Sequence, residues 1–329
     1  MLDKEPVMGK TVLAFFVDQL IGLVLVFTVI GSNALAHPGA GIDVDRQGQT
    51  YFVDTGVNTS LGVWKIDTQG RLSRHPGPHY HFMAIDHQGR LVGSQLPSGV
   101  EAVGTNPTLI LSGGFPVAVG SDDALYYPQP VDQDHVQIMR LVASKSPMVF
   151  ATLPIAREVA PDGKQINAQW IHGLASGPEN SLYYSEQRAV RRIGPDGVVS
   201  LVAGEIKVPD CVRPLGANDE RLGPSLRGLD VKPDGTIFVA ASACSVVLRI
   251  TPKGVADVIL RASDSWSPTD VAVSGDDLYV LEYLLTDSHQ REDWLPRVRK
   301  ISRDGSVTVV ATVTKELRRT TESAVTPVP

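Results

Sequence analysis

This 329-residue chain has no low-complexity segment, no surplus of positive charge and only two cysteines. Against 30 Lys and Arg stand 36 Asp and Glu, a formal net charge of −6. A mildly acidic surface disfavours nucleic acid and an anionic membrane face as partners. The chain also lacks a long unbroken apolar run. Residues 11–30 are largely apolar, but Asp18 and Gln19 interrupt them, which argues against a permanent spanning helix. Lys4 and Lys10 precede that stretch, and Ala34-Leu35-Ala36 follows it with the small-x-small pattern of a signal-peptidase site. No cysteine follows the apolar core, so a bacterial lipid anchor is disfavoured. Residues 1–36 are therefore expected to be a signal peptide, with an uncleaved membrane anchor as the alternative. The mature chain is expected to be extracytoplasmic, periplasmic or secreted, touching a membrane only if that segment is retained.

What the chain does have is glycine, proline and repetition. Its 30 Gly and 23 Pro suit many tight turns. Six times a start position precedes a short apolar alternation, a Gly/Asp turn and a second apolar strand that closes fourteen residues on. The pairs are Ala40/Asp54, His81/Gln95, Phe115/Gln129, His172/Glu186, Arg227/Ala241 and, one residue shorter, Thr269/Glu282. Turns such as Asp45-Arg46-Gln47-Gly48 and Lys232-Pro233-Asp234-Gly235 lie between them, and two further strands follow in each repeat. Repeats of about 40–50 residues with four strands each are the signature of a β-propeller. The expected fold is thus all-β, a six-bladed β-propeller of four-stranded blades over residues 38–313, with 314–329 a flexible tail. Pro128 and Pro130 should make the second strand of repeat three leave its sheet. Insertions at 153–169, 204–226 and 284–296 should crowd one rim. Cys211 and Cys244 fall on that same face of repeat five, and in an exported protein they are expected to form a disulfide.

First strands begin and second strands end beside the central channel, so the paired positions should form an inner ring. Its polar members are His81, His172, Arg227, Thr269, Asp54, Gln95, Gln129, Glu186 and Glu282. Two imidazoles, a guanidinium and three carboxylates around a concave opening can hold a divalent metal, or bind an anion and move protons. His172, Arg227, Glu186 and Glu282 are the candidate catalytic groups. His81, Thr269, Gln95, Gln129 and Asp54 are the candidate ligand-binding groups. The alternative for the carboxylates is structural, since such side chains at strand ends also bond the following turn. Arg227 can equally serve as a brace for Glu186 across a blade interface.

The runs Gly228-Leu229-Asp230-Val231 to Val239 and Arg249-Ile250 resemble NHL repeats. The six-unit frame, including His172-Gly173-Leu174-Ala175 to Tyr183-Tyr184, resembles the senescence-marker-protein/gluconolactonase propellers over roughly residues 38–313. That resemblance implies a divalent ion held by a Glu, two Asn and an Asp, but the matching positions here are Ala40, the Gly114-Phe115 neighbourhood, His172 and Arg227. The lactonase oxygen ligands are not retained. A second resemblance, to the peptidylglycine amidating lyase propeller, implies zinc on channel histidines, with His81 and His172 as ligands and Glu186 or Glu282 completing the site. Two functions follow. One is lyase or hydrolase chemistry on a small, anionic molecule in the channel pocket. The other is a non-catalytic binding or assembly module that takes a protein, peptide or glycan on the loop-rich rim.

Overall fold

The computed structural model describes residues 39–323 apart from 57–61, 76–79, 96–101, 104–107, 113–114, 144, 156, 160–164, 168–170, 212–222, 264 and 287–289. The expected export segment lies outside the described residues, as do parts of the three insertions. The expected fold is present: among the described residues there are six four-stranded sheets, joined by one two-stranded hairpin at Arg157–Val159 and Gln165–Asn167. The innermost strands are Ile42–Val44, Phe82–Ile85, Ala118–Val119, Gly173–Ser176, Leu226–Val231 and Trp266–Ser274, one each for blades 1 to 6. Each touches the next, and the sixth touches the first, so the ring is closed. Closure covers both faces of the inner strands. Accordingly Thr50–Val53, Leu182–Ser185 and Ile237–Ala241, the second strands of blades 1, 4 and 5, are buried at every residue rather than alternating.

The turns between first and second strands follow from their side chains. Asp45 Oδ1 accepts the N–H of Gln47 and of Gln49, and Gly48 completes the turn at φ +81°. Asp86 repeats the arrangement with Gln88 and Arg90. A short carboxylate that bonds its own backbone two residues on, followed by a glycine free to adopt positive φ, closes such a turn without strain. A second glycine is needed for packing. A Cβ on Gly228 would lie 1.7 Å from Asp270 Oδ1, so only glycine lets blade 6 approach blade 5 there.

Two details differ from the sequence expectation. Blade 3 keeps Pro128 and Pro130 within its second strand, Leu125–Pro130, where they pair with Ile138 and Val136. The neighbouring first strand pairs only with Leu125 and Tyr126, so the prolines sit where one side is an open edge, and an edge tolerates a missing N–H. In blade 2 the outer strands are exchanged: Thr108–Ser112 pairs in parallel with Leu91–Gln95, and Ala102–Val103 lies outside it.

Among the described residues every blade is built from one continuous stretch of chain, with no strand shared between the first and last blades. Side chains seal the seam between blades 6 and 1 instead. Ile42 N–H donates to Asp270 Oδ2 (3.3 Å) and Tyr283 Oη–H to the Val53 carbonyl (2.7 Å). Beyond blade 6, part of the segment expected as a tail forms a helix, Lys315–Ser323. Its Arg318, 4% exposed, reaches Asp54 of blade 1 through Nη2 (2.7 Å) and Nε (3.1 Å) and also donates to the carbonyls of Glu292 and Trp294.

Cys211 and Cys244 form a disulfide with their Cα atoms 4.7 Å apart. It ties the connection entering blade 5 to the end of that blade's second strand. Closing a loop of this length constrains the unfolded chain by about 3 kcal/mol. Titration of denatured, unreduced protein should therefore find no free thiol, and reduction should lower the melting temperature; two reactive thiols would contradict the pairing.

Candidate functional site at the channel mouth

Each first strand starts where its second strand ends, so the ring positions of a blade share one end. His172 N–H donates to Ser185 O (2.9 Å) and His81 N–H to Ser94 O (2.8 Å). Serines at this level stitch neighbouring blades: Ser94 Oγ–H donates to Phe115 O and Ser185 Oγ–H to Arg227 O, both at 2.5 Å. The second of these fixes the backbone from which Arg227 projects.

The structure brings two of the predicted residues into contact. Arg227 Nη1–H donates to His172 Nδ1 at 3.3 Å. Burial first, and the Arg227 charge second, push the His172 pKa down to about 3, so the ring is neutral at physiological pH. Arg227 is exposed at the mouth, while the protein around it lowers its pKa from the usual value. Arginine stays a cation regardless. Two polar atoms here are buried without a partner: His172 Nε2 and Thr269 Oγ1. Thr269 occupies a bulge between Pro268 and Asp270 at the start of blade 6. Blades 4, 5 and 6, adjacent in the ring, thus present His172, Arg227 and Thr269 in turn.

The remaining predicted residues do other things. His81, in blade 2, is buried at 5% exposure. Gln129 is an exposed strand residue paired with Gln137. Gln95 ends the second strand of blade 2, and its side chain lies outside the described residues. The three carboxylates, expected as catalytic or ligand groups, are all held by arginines of the fold. Asp54, fully buried, accepts from Trp64 Nε1 (3.0 Å), Gly56 N (3.1 Å) and Arg318. Glu186 accepts from Arg191 Nε (2.9 Å), a third-strand residue of its own blade, and not from Arg227. Glu282, fully buried, is clamped between Arg297 Nε (2.5 Å) and Arg299, and Arg297 stacks on Trp266. Each strand-end carboxylate is thus paired with an arginine, as a buried charge requires.

Zinc does not fit this donor set. Among the described residues no three His, Cys, Asp or Glu side chains come together as a metal-ligand group. Arg227 occupies one imidazole nitrogen of His172, and the ring carboxylates are neutralised.

Below the ring the channel holds a cavity of about 240 Å³ walled by Ile42, Met83, Val117, Leu174, Leu229 and Val271. Into this cavity project three carboxylates from the blade 5, 6 and 1 side: Asp43, Asp230 and Asp270. Each accepts its own successor's N–H and one from the next blade, namely Ile85 N for Asp43, Val273 N for Asp230 and Ile42 N for Asp270. Burial outweighs these bonds and raises all three, Asp43 to about 7, Asp230 to about 6, and Asp270 well above the usual range. Sequence reasoning, fixed on strand ends, missed them. The available signal was a carboxylate at an inward position of an apolar innermost strand, as in Ile42-Asp43-Val44 and Leu229-Asp230-Val231.

No family model matches the chain, and no curated protein matches it. Solved structures do. A luciferin-regenerating enzyme is 16% identical, with 83% of this chain and 92% of that chain covered and a TM-score of 0.52. A virginiamycin B lyase from Staphylococcus aureus is 13% identical over 83% and 84% of the two chains, with a TM-score of 0.49. A gluconolactonase from Xanthomonas campestris is 16% identical over 75% and 84%, with a TM-score of 0.48. At these identities the likeness shows the fold alone, and that fold is the β-propeller.

Proposed function

We propose that this protein is an exported propeller of the hydrolase or lyase type whose channel mouth binds a small anionic molecule. The observation that carries the reading is the Arg227–His172 pair, an exposed cation beside a neutral imidazole. A guanidinium with unfilled donor capacity recognises carboxylate or phosphate oxygens in a planar, two-pronged geometry. Thr269 adds a hydroxyl from the adjoining blade. The same donors can stabilise oxygen charge that develops during acyl transfer or elimination. The disulfide fits an extracytoplasmic setting.

The non-catalytic binding module is a second reading with its own support, since each carboxylate of the ring is consumed by an arginine and supplies no general base. One set of variants separates the two. Arg227→Ala and His172→Ala should each lower affinity for small carboxylates at least tenfold, with thermal stability within about 1 kcal/mol of the parent, as for an exposed or half-exposed position. Turnover of carboxylate esters or lactones by the parent that disappears in both variants supports the enzyme. Binding without turnover leaves the module, and unchanged affinity in both variants defeats the mouth as the site.

A further inference from the structure

We infer that Arg227 locks His172 as a permanent hydrogen-bond donor, so that the mouth accepts a ligand oxygen through His172 Nε2–H and refuses a divalent metal there. This deepens the mouth reading above and rests on it only for the identity of the ligand atom. A guanidinium has five N–H donors and no acceptor, so at 3.3 Å its Nη1 can only donate, and His172 Nδ1 can only accept. An imidazole that accepts at Nδ1 is neutral and carries its single proton at Nε2. The other ring nitrogen is therefore a donor, and it is buried without a partner. An orphaned buried donor is destabilising, a penalty that an oxygen acceptor arriving at Nε2 would relieve.

The same geometry works against a metal. Coordination needs a bare nitrogen, but one is engaged by Arg227 and the other is protonated. A divalent ion bound at the ring would also face the Arg227 charge at close range, with no ring carboxylate free to offset it, since Glu186 is held by Arg191 and Glu282 by Arg297 and Arg299. Burial together with the neighbouring cation keeps the ring from protonating a second time. His172 is thus neither a base nor a metal ligand in this arrangement. It is an uncharged donor beside a fixed cation, suited to a carboxylate or to a carbonyl becoming an oxyanion.

The test is nitrogen-15 NMR of the histidine side chains in the full chain, with His172 assigned by its loss in His172→Gln. The expected spectrum shows the Nε2–H tautomer alone at neutral pH, unmoved by an equivalent of zinc chloride without other ligand. Arg227→Met removes the donor while keeping the volume, and should populate the Nδ1–H tautomer and admit zinc at the ring. Acetate added to the parent should shift the His172 Nε2 proton downfield. A parent spectrum with the Nδ1–H tautomer, a charged ring at neutral pH, or zinc-shifted His172 resonances overturns the inference, as does an Arg227→Met spectrum identical to the parent. If the parent shows the locked tautomer and no response to acetate, the lock stands and the anion-binding reading of the mouth falls instead.

Discussion

Replacing Arg318 by alanine should lower the melting temperature by about 5 °C, corresponding to roughly 3 kcal/mol, the scale for breaking a buried ion pair. The change would strand Asp54, which has no solvent exposure, with only Trp64, the Gly56 N–H and an Arg74 nitrogen at 3.6 Å. With only the longer Arg74 pair left to offset its charge, the buried carboxylate costs more than the two lost hydrogen bonds alone suggest. The effect should be large here because Arg318 joins the chain beyond blade 6 to blade 1, a seam across which the described residues share no strand. Adding Asp54→Asn to the alanine variant should recover part of the loss by removing the charge. Thermal melts of the three proteins decide the matter. An Arg318→Ala protein melting within 2 °C of the parent would show that the helix is not a clasp.

The second large effect concerns pH. Asp43, Asp230 and Asp270 have folded-state pKa values above their unfolded ones, so the fold holds protons that the unfolded chain releases. Their contribution to stability is complete below about pH 4 and is lost as pH rises through about 6 for Asp230 and about 7 for Asp43. With 1.4 kcal/mol per pKa unit, Asp43 and Asp230 together should lower stability by about 4 kcal/mol between pH 5 and pH 8, and Asp270 adds to the fall. Asp230 raises both of the others through its charge, so Asp230→Asn should flatten the profile by more than its own share. Chemical denaturation at pH 5, 6.5 and 8 measures this directly. A parent more stable at pH 8 than at pH 5, or an Asp230→Asn profile as steep as the parent's, would mean that backbone bonding rather than burial governs these carboxylates.

The repeat spacing by itself determined the architecture. Fourteen-residue strand pairs with Gly/Asp turns, recurring six times, leave each four-stranded unit no way to bury both faces except against its neighbours. Turn chemistry was equally local, since Asp45 and Asp86 bond backbone within four residues. The pairing of Cys211 with Cys244 followed from the same frame. The fates of the ring side chains did not. Asp54, Glu186 and Glu282 occupy equivalent sequence positions, yet their partners come from a C-terminal helix in one case and from the blades' own third strands in the others. A carboxylate's role depends on which cation reaches it, from 5 residues away for Glu186 to 264 for Asp54, and periodicity carries no record of that. The same holds for His172, whose tautomer is set by an arginine 55 positions away, and for Asp270, which meets Ile42 across the ring seam. Local pattern specified where strands run; only closure of the ring decided which buried charges were paired at the rim and which were left facing one another in the channel.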